Sequence, residues 1–427
     1  MIFDEAFSYL LSLGHETLTI KLGLENTETL LAALGNPQKH FPAVQIAGTN
    51  GKGSTAAFLD SICRAAGIST GLFTSPHLIS ITERIRIDGE SITEEKFARF
   101  TSIVRSTAET LVSEGKLETL PTFFEHVTAI ALLAFREARV ELAILETGLG
   151  GRLDSTTAAR AEVVAITPVA MDHEEYLGHT IEEVAAEKAA IIRPGVIAII
   201  APQEDRALDV INRRCAAVGV QPRFVDPASI QGAALGLRGH HQQINGATAV
   251  ALAEELRRQA FEIPPPAIVE GLRTAQHAGR LELWNTNPPI LFDGAHNPAS
   301  AQALRDYLDE FVSEPITMIF GAMRDKRLTE IGATLFPKAS RLILTAIDNP
   351  RAASFEELRS SAPREFDRSK IYAAVSPRDA LGIAHGLTTH EGLILITGSL
   401  YLVGAAQEIL KAPKSPGCSP RSAALDL

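Results

Sequence analysis

Short apolar runs of strand length alternate with helical patterns along most of the chain. In the first part, the apolar runs predict buried strands at Ala43–Ala47, Val140–Glu146, Val163–Thr167 and Val196–Pro202. Segments with helical periodicity between them predict helices at Thr55–Ala66, Phe123–Arg136 and Thr180–Ile192. Strands that alternate with helices are typical of a parallel sheet with crossover helices, so the pattern predicts an α/β fold.

A second series of the same kind follows a helical segment at Ala267–Thr274. It predicts a helix at Ser300–Phe311 and strands at Ile290–Asp293, Ile316–Gly321, Leu342–Thr345, Ile371–Ala374 and Leu393–Gly398. Because 427 residues are too many for one compact core, we predict two domains, residues 1–282 and 283–410. Residues 411–427 are rich in Pro, Ser and Gly and are expected to be a disordered tail.

Composition and charge narrow the class of protein. Apolar residues make up 45% of the chain and charged residues 21%, as in an ordinary globular protein. The 40 basic and 51 acidic residues leave a formal charge of -11, which argues against nucleic acid or a membrane surface as the main partner. Three scattered cysteines and the lack of an apolar run near ~20 residues predict a cytoplasmic protein without a disulfide framework or membrane span.

The segment GTNGKGST at 48–55 is the strongest candidate for chemistry. It departs from the common phosphate-loop pattern because Gly53 separates Lys52 from Ser54. Glycines still allow backbone N–H groups to converge on phosphates, Lys52 adds a positive charge, and a hydroxyl at the helix start can reach Mg²⁺. We therefore predict ATP binding by Thr49, Asn50, Gly51, Lys52, Gly53, Ser54 and Thr55. The alternative is a glycine-rich turn without a ligand.

Further polar residues follow predicted strands at the edge where ligands bind in parallel sheets. Glu146 ends an apolar strand, and its carboxylate suits a hard cation such as Mg²⁺, although a helix cap or salt bridge would also explain it. His173 follows the strand at Val163–Thr167 by a short loop. Asp293 and His296 follow one strand of the second series, and Asp325 and Lys326 follow the next.

Ordered motifs along the chain identify a family. They are VQIAGTNGKGST at 44–55, TSPHL at 74–78, TERIRIDG at 82–89, PTFFE at 121–125, AILETGLGGRLDST at 143–156, DHEEYLGHT at 172–180, EKAAII at 187–192, FDGAHNP at 292–298, GAMRDK at 321–326 and TGSLYLVG at 397–404. Together they resemble the folylpolyglutamate synthase/dihydrofolate synthase family, a branch of the Mur-type ATP-dependent amide ligases. The resemblance spans about Ile20 to Gly404.

The resemblance implies a fold and an activity. We expect an N-terminal P-loop-type ATPase domain with a parallel sheet, followed by a smaller, Rossmann-like α/β domain for glutamate ligation. The implied enzyme adds L-glutamate to dihydropteroate or to the glutamate tail of reduced folates through an acyl phosphate. It would use ATP as co-substrate and Mg²⁺, two ions by resemblance, and would be a monomer.

The resemblance also assigns roles to individual residues. It implies that Mg²⁺ is held by Ser75, Glu146, His173 and Lys188. Lys188 would carry a carbamate, and with Lys52 and His173 it would be catalytic. Without the family, Lys188 would be an ordinary solvated charge, and an isolated histidine such as His173 would more often be structural. The family usually has Gly where this chain has Ala190.

Other implied roles concern the nucleotide and the substrate. Asn245 would contact adenine, Arg280 phosphate and Asp293 the ribose, with His296 near the phosphates; a helix cap is the alternative for Asn245. One member of the pair Phe123 and Phe124 would stack near the pterin. The remaining substrate-binding candidates are Arg152, Asp325 and Lys326. Arg327 stands where the family usually has an acid, which leaves that acid's role without a residue here.

Two other functions remain open. A peptidoglycan-precursor ligase of the same superfamily would carry a separate UDP-sugar domain of roughly 100 residues, and the segment before Gly48 is too short for one. A non-catalytic nucleotide-binding module would have no need of Glu146, His173 and Lys188. No motif decides whether the first glutamate, the later ones or both are added.

Overall fold

The protein is described by a computed structural model over residues 1–14 and 23–412. Most of the predicted disordered tail therefore lies outside the described residues, as do Cys418 and Ile20–Leu22, where the family resemblance begins. Lys411 is the last residue of a helix, so the expectation of disorder was wrong at that position. The other two cysteines, Cys63 and Cys215, are buried and free.

The first part of the chain forms an eight-stranded sheet. Its strands are β1 (Ala43–Ala47), β2 (Thr70–Phe73), β3 (Ile85–Ile87), β4 (Glu90–Ser91), β5 (Leu142–Glu146), β6 (Val163–Ile166), β7 (Ile197–Ile200) and β8 (Arg223–Phe224). The order is β4-β3-β2-β5-β1-β6-β7-β8. Pairing is parallel from β2 to β8 in that order, which confirms the predicted parallel sheet. The antiparallel edge made by β3 and β4 was not predicted.

Helices cover both faces of this sheet. They are α1 (Phe3–Ser12), α2 (Glu25–Ala33), α3 (Lys52–Ala65), α4 (Glu94–Ser113), α5 (Phe123–Ala138), α6 (Glu174–Leu177), α7 (Ile181–Ala189), α8 (Asp205–Val218), α9 (His241–Arg258) and α10 (Pro265–Thr274). Successive side chains of a strand point to opposite faces. In β1, Ala43 and Ala47 join the core with α4 and α5, whereas Val44 and Ile46 join the core with α3, α9 and α10.

The second part of the chain forms a six-stranded sheet. Its strands are β9 (Glu282–Trp284), β10 (Ile290–Phe292), β11 (Ile316–Phe320), β12 (Ala339–Thr345), β13 (Ile371–Ala374) and β14 (Leu393–Thr397), in the order β13-β12-β11-β14-β10-β9. All pairings are parallel except that of β9 with β10. The accompanying helices are α11 (Pro298–Phe311), α12 (Leu328–Leu335), α13 (Phe355–Ser360), α14 (Pro377–Leu387) and α15 (Leu400–Lys411).

The structure corrects several predicted ends. The helix after the phosphate loop begins at Lys52 rather than Thr55, because Gly51 takes a left-handed conformation, with φ of 86°, and lets the chain turn directly into the helix. The helix predicted at Thr180–Ile192 ends at Ala189. No helix among residues 1–14 and 23–412 is long and apolar enough to cross a membrane.

Gly404 in α15 makes a close contact with the loop that follows β2. A Cβ atom at position 404 would overlap the carbonyl oxygen of Leu78, a backbone atom with little freedom to move. We expect Gly404→Ala to lower the free energy of unfolding by about 1–3 kcal/mol, the usual cost of overpacking. Urea unfolding of the purified variant measures this change.

The matched control for this contact is Gly382→Ala. Gly382 lies within α14, and nothing occupies the space around its Cβ position. Alanine is the better helix former, so the control should gain roughly 0.5–1 kcal/mol. Equal stability of the two variants would contradict the tight contact at Gly404.

Candidate active site

A cleft of about 490 Å³ lies at the carboxyl ends of the strands of both sheets. This is the edge of a parallel sheet where ligands are expected. The sequence-predicted residues that line it are Thr49, Asn50, Gly51, Lys52, Gly53, Ser54, Ser75, Phe124, Glu146, Arg152, His173, Lys188, Asn245, Arg280, Asp293, His296 and Lys326. The structure therefore brings most of the candidates from the two halves of the sequence to one cavity.

Three candidates do not line this cavity. Thr55 is fully buried in α3, and its hydroxyl has no hydrogen-bond partner among the described residues. Phe123 is also buried, with the Arg84 guanidinium 5.4 Å from the centre of its ring. Asp325 borders a small adjoining recess instead. Of the aromatic pair, Phe124 is therefore the one that meets the cavity.

The phosphate loop joins β1 to α3. Its first glycine, Gly48, has φ of 147°, and a Cβ atom there would overlap the Thr167 hydroxyl, so this position requires glycine. The N–H groups of Thr49 and Asn50 donate to the Pro168 carbonyl at 3.1 Å each. The amides available to an anion are thus those at the start of α3, which have no partner within the helix.

Lys52 is the first residue of α3 and points into the cleft. Its Nζ donates to the Thr49 carbonyl at 3.2 Å. Burial lowers the pKa of its amine, and the nearby carboxylates of Glu146 and Asp172 oppose that shift. A positive charge held at the open end of a helix favours an anionic ligand at this point.

Glu146 and Ser75 form a pair beside the phosphate loop. Glu146 ends β5, is 5% exposed, and accepts the Ser75 N–H at 3.0 Å. Burial raises the pKa of Glu146, and the Lys52 ammonium opposes that rise. Its Oε2 would lie 3.2 Å from a Cβ atom at Gly53, so the carboxylate sits directly against the loop.

His173 and Lys188 lie on the neighbouring wall. His173 precedes α6 in a left-handed conformation, and burial lowers its pKa to about 3. Lys188 is 4% exposed on α7, and burial, together with the charge of Lys52, lowers its pKa to about 7. A buried lysine of this kind carries a substantial neutral fraction near neutral pH.

Among the residues that the structure describes, no group of three or more His, Cys, Asp and Glu side chains is arranged to hold a metal ion. Ser75 and Glu146 nevertheless provide hard oxygen donors, the type that Mg²⁺ prefers. Mg²⁺ sites of enzymes that use phosphate substrates commonly take only one or two carboxylates from the protein. The donors present therefore fit a magnesium site that is completed by phosphate oxygens and water.

Residues from α9 and the second sheet close the opposite side. Asn245 is buried within α9 and donates to the Gln242 amide oxygen at 2.9 Å, so it is not a helix cap. Asp293 follows β10 and accepts the N–H groups of Leu281 and Ala295 at 3.0 and 2.9 Å. Burial raises the pKa of Asp293. These bonds fix the Asp293 carboxylate at the carboxyl end of its strand.

Arg152 lies at the mouth of the cleft. Its side chain is 54% exposed and pairs with Glu187 at 3.0 Å. The glycine-rich turn that carries it is held by Asp154, which accepts the N–H groups of Gly148 and Leu149 at 3.0 Å each. An anionic substrate that engages Arg152 would compete with Glu187.

The structure adds Asp172, Asn297 and Arg351 to the residues identified by sequence. Asp172 is bound by Lys326 Nζ at 2.5 Å, and Asn297 joins the phosphate loop through Asn50 at 3.0 Å. Arg351 lines the cleft, and its buried Nε has no hydrogen-bond partner among the described residues. It lies in the loop after β12, so the strand-end rule applied to that strand is the signal that could have found it.

Comparison with known proteins places these features in a family. Residues 46–221 match the Mur ligase middle domain, and residues 279–400 match the Mur ligase glutamate ligase domain. A Bacillus subtilis dihydrofolate synthase/folylpolyglutamate synthase is 33% identical over 93% of this chain and 97% of its own length. A probable bifunctional folylpolyglutamate synthase/dihydropteroate synthase of Halobacterium salinarum is also 33% identical, and the chain spans 51% of that longer protein.

Solved structures agree with this assignment. Mycobacterium tuberculosis folylpolyglutamate synthase complexed with ADP superposes with a TM-score of 0.88 at 29% identity, covering 96% of this chain and 98% of that one. Escherichia coli FolC in complex with DHPP and ADP gives 0.85 at 29% identity, covering 97% and 99%. A bifunctional folylpolyglutamate synthase/dihydrofolate synthase with Mn, AMPPNP and L-glutamate bound gives 0.83 at 27% identity, covering 96% and 98%. The chain belongs to the folylpolyglutamate synthase/dihydrofolate synthase family.

Proposed function

We propose that this protein is an ATP-dependent amide ligase that joins L-glutamate to dihydropteroate, to the glutamate tail of a reduced folate, or to both. The observation that carries the proposal is the shared cleft, in which Lys52 and Glu146 meet Asp293 and His296 from the second sheet. Ligands of similar proteins support it, since ADP, DHPP, AMPPNP, Mn and L-glutamate occur in their solved structures.

The reaction has two steps. A carboxylate oxygen of the folate precursor attacks the γ-phosphorus of ATP, ADP leaves, and an acyl phosphate forms. The neutral amine of L-glutamate then attacks the acyl carbon, loses a proton, and expels phosphate, which keeps the former carboxylate oxygen. Phosphoryl transfer depends on positioning and on neutralising charge more than on covalent help from the protein.

Lys52 and the start of α3 supply that stabilisation for the phosphates. Lys52 Nζ lies at the loop, 3.2 Å from the Thr49 carbonyl, and would pair with the oxygens of a phosphate bound there. The free amides at the helix start add fixed dipoles that require no reorganisation during the reaction. Thr49, Asn50, Gly51, Gly53 and Ser54 complete the proposed phosphate site.

Ser75 and Glu146 would hold a divalent cation, Mg²⁺ in our proposal. When bound, the ion neutralises phosphate charge and holds the γ-phosphoryl group in line for attack. Glu146 contributes a buried carboxylate whose orientation is fixed by the Ser75 N–H at 3.0 Å. The same carboxylate faces Lys52, so the pair keeps opposite charges close together at the loop.

His173 and Lys188 would hold a second ion once Lys188 carries a carbamate. An ammonium group cannot bind a cation, but a carbamate is an anion with two oxygen donors. The proposal is supported by the pKa of Lys188, lowered to about 7, because only the neutral amine reacts with carbon dioxide. Burial keeps His173 neutral, the form in which an imidazole binds metal ions.

We assign the remaining residues to the three substrates. Asn245, Arg280, Asp293 and His296 would bind the nucleotide, and Phe124 and Arg152 the folate precursor. Lys326 and Arg351 are cations of the second domain that line the cleft. The Arg351 guanidinium, whose Nη1 lies 3.7 Å from Asp325 Oδ2, is suited to a carboxylate of L-glutamate. Phe123 and Asp325 do not line the cleft. Phe123 would act on substrate only through the adjacent Phe124, and Asp325 only through its ion-pair partners Lys326 and Arg351.

We propose that the two domains meet at about residue 282, where β9 begins, and that the protein works as a monomer in the cytoplasm. Each domain contributes one wall of the cleft, so closure of one domain on the other would exclude water from the acyl phosphate. All the assigned residues lie within a single chain.

The test is a ligation assay in which the carboxylate of the folate precursor that is to be ligated is labelled with ¹⁸O. The purified protein is given ATP, Mg²⁺ and L-glutamate with dihydropteroate or tetrahydrofolate, and products are separated by mass. We expect glutamylated product and one ¹⁸O atom in the released phosphate for each amide formed. Labelled phosphate requires the acyl phosphate, whereas unlabelled phosphate alongside product would refute it.

The same assay separates the competing functions. A nucleotide-binding module would hydrolyse ATP without regard to dihydropteroate and glutamate, or would not hydrolyse it. A peptidoglycan-precursor ligase would require a UDP-sugar substrate in place of the folate precursor. Phosphate release that needs both a pteroate and L-glutamate supports the proposed function against both.

A further inference from the structure

Asp172 is a buried carboxylate on which side chains from the second sheet converge. Its side chain is 7% exposed. Lys326 Nζ donates to Oδ1 at 2.5 Å, Asn297 Nδ2 donates to Oδ2 at 3.2 Å, and His296 Nε2 lies 3.4 Å from Oδ2. Asp172 itself belongs to the loop between β6 and α6 of the first sheet. One carboxylate thus connects three residues across the cleft.

Two of these three residues line the catalytic cleft. Lys326 and His296 border the cavity with the phosphate loop, and Asn297 bonds to Asn50 of that loop at 3.0 Å. Lys326 is itself only 7% exposed, so Asp172 and Lys326 form a buried ion pair. A buried charge that loses its partner is strongly unfavourable, so such a pair holds its members in one arrangement.

A second ion pair joins the same two parts of the chain nearby. Arg327 Nε donates to Glu174 Oε1 at 2.6 Å, but the two side chains are 40% and 31% exposed. Solvent screens such a pair, and exposed pairs contribute little to stability. The Arg327–Glu174 pair can therefore supply only weak adhesion between the domains, whereas Asp172 also contacts residues that line the cleft.

We propose that Asp172 is a positioning residue: it fixes Lys326, His296 and Asn297 of the second domain over the phosphate loop of the first, so that both walls of the cleft are aligned for ligation. This inference rests on the proposed function and names a residue that acts through others. Lys326 is thereby oriented by a carboxylate before substrate arrives. An error of about 1 Å in such alignment costs on the order of 100-fold in rate.

Asp172→Asn tests the proposal with little change of shape. The asparagine can keep an oxygen at Oδ1, which accepts the His173 N–H at 2.9 Å. Its amide nitrogen would replace Oδ2 and cannot accept from Asn297 or His296. We expect kcat for ligation to fall about 50-fold, with a much smaller change in the Kd for ATP, because Asp172 makes no direct hydrogen bond to the phosphate loop.

Glu174→Gln is the matched control. It removes the exposed pair between the same two parts of the chain and should leave kcat within about twofold. Equal losses in the two variants would show that Asp172 serves adhesion alone and would overturn the proposal. A fall in ATP affinity that accounts for the whole loss in Asp172→Asn would overturn it as well.

A double-mutant cycle identifies the partner of Asp172. If Asp172 acts through Lys326, then Asp172→Asn combined with Lys326→Met should lose little more activity than the worse single variant. Losses that multiply would mean that the two residues act independently, contrary to the proposal.

Small-angle X-ray scattering tests the positioning role of Asp172 without relying on the ligation reaction. With a non-hydrolysable ATP analogue, the wild type should be more compact than Asp172→Asn, whatever reaction the cleft performs. If the wild type forms no amide, the proposed function fails, and an unchanged radius of gyration in Asp172→Asn would then overturn the positioning role separately.

Discussion

Lys52→Met should lower kcat for ligation by roughly 10³- to 10⁴-fold, because it removes the one cation that the phosphate loop itself supplies. Lys52 starts α3 and its Nζ lies 3.2 Å from the Thr49 carbonyl. Charge builds up on the γ-phosphoryl oxygens during transfer, and a positive charge at this point stabilises it. Neither glycine amides nor a single divalent ion can replace a charge that is already oriented.

The same substitution should not destabilise the fold. Burial lowers the pKa of Lys52, which means that its charged form is held there at a cost. Met is unbranched and of similar length, so it removes that cost and still fills the space. It also leaves the buried Glu146 carboxylate without the ammonium that opposes the rise in its pKa, which offsets that gain. We therefore expect the Tm of Lys52→Met to stay near that of the wild type, as measured by differential scanning calorimetry.

Lys39→Met is the control for loss of a lysine as such. Lys39 is exposed and lies outside the cleft, so both kcat and Tm should stay near wild-type values. A Lys52→Met enzyme whose kcat stays within about tenfold of wild type would fall well short of the loss expected for a transition-state contact. In that case, the loop would bind phosphate without contributing to its transfer.

Nine of the strands were predictable, and most of these nine are buried on both faces. A parallel strand such as β14, with Leu393–Thr397 entirely buried, reads as a continuous apolar run. The strands β2, β3, β4, β8 and β9 were missed. Four of them, β3, β4, β8 and β9, have only two or three residues, and β2 has two apolar residues beside Gly71. No apolar run marks strands of that length.

The strand-end rule found one part of the site and missed another. Glu146 is itself the last residue of β5, so the end of the apolar run identified it. Asp172 is next to His173 in the loop after β6, so the rule pointed to this loop, but it does not say which side chains of a loop face the cleft. Its function depends on Lys326, 154 residues later, and only the folded chain brings the two together.

Two local ambiguities were resolved by geometry. Successive residues of a helix point about 100° apart, so Phe123 and Phe124 could not both face the cleft, and the sequence does not say which does. The structure turns Phe123 inward beneath Arg84 and leaves Phe124 on the cavity. Thr55 was chosen for its hydroxyl, but the earlier start of α3 turns it into the core.

Lys188→Gln should lower kcat by roughly 10³-fold, since the variant keeps the length of a polar side chain but cannot form a carbamate. Lys188 is 4% exposed, and its pKa is lowered to about 7 by burial and by the charge of Lys52. Near pH 7 a substantial fraction of such amines is neutral, against about one in 3000 for a lysine of ordinary pKa. We propose that this environment prepares the amine for reaction with carbon dioxide.

The pH dependence follows from the direction of that shift. The neutral amine predominates above pH 7 and the ammonium below it. Carbamate formation consumes the neutral amine and releases a proton, so it is favoured as pH rises through 7 and reversed as pH falls. Enzyme dialysed at pH 6 in buffer free of carbon dioxide should lose activity, and bicarbonate at pH 8 should restore it.

Carbon-13 NMR with labelled bicarbonate provides a readout that does not depend on activity. We expect a carbamate signal in the wild type and none in Lys188→Gln, whose residual rate should not respond to bicarbonate. Wild-type activity that survives removal of carbon dioxide, without a carbamate signal, would rule out the modification. Lys188 would then act through its neutral amine or its charge, and His173 would lack the anionic partner that a second Mg²⁺ needs.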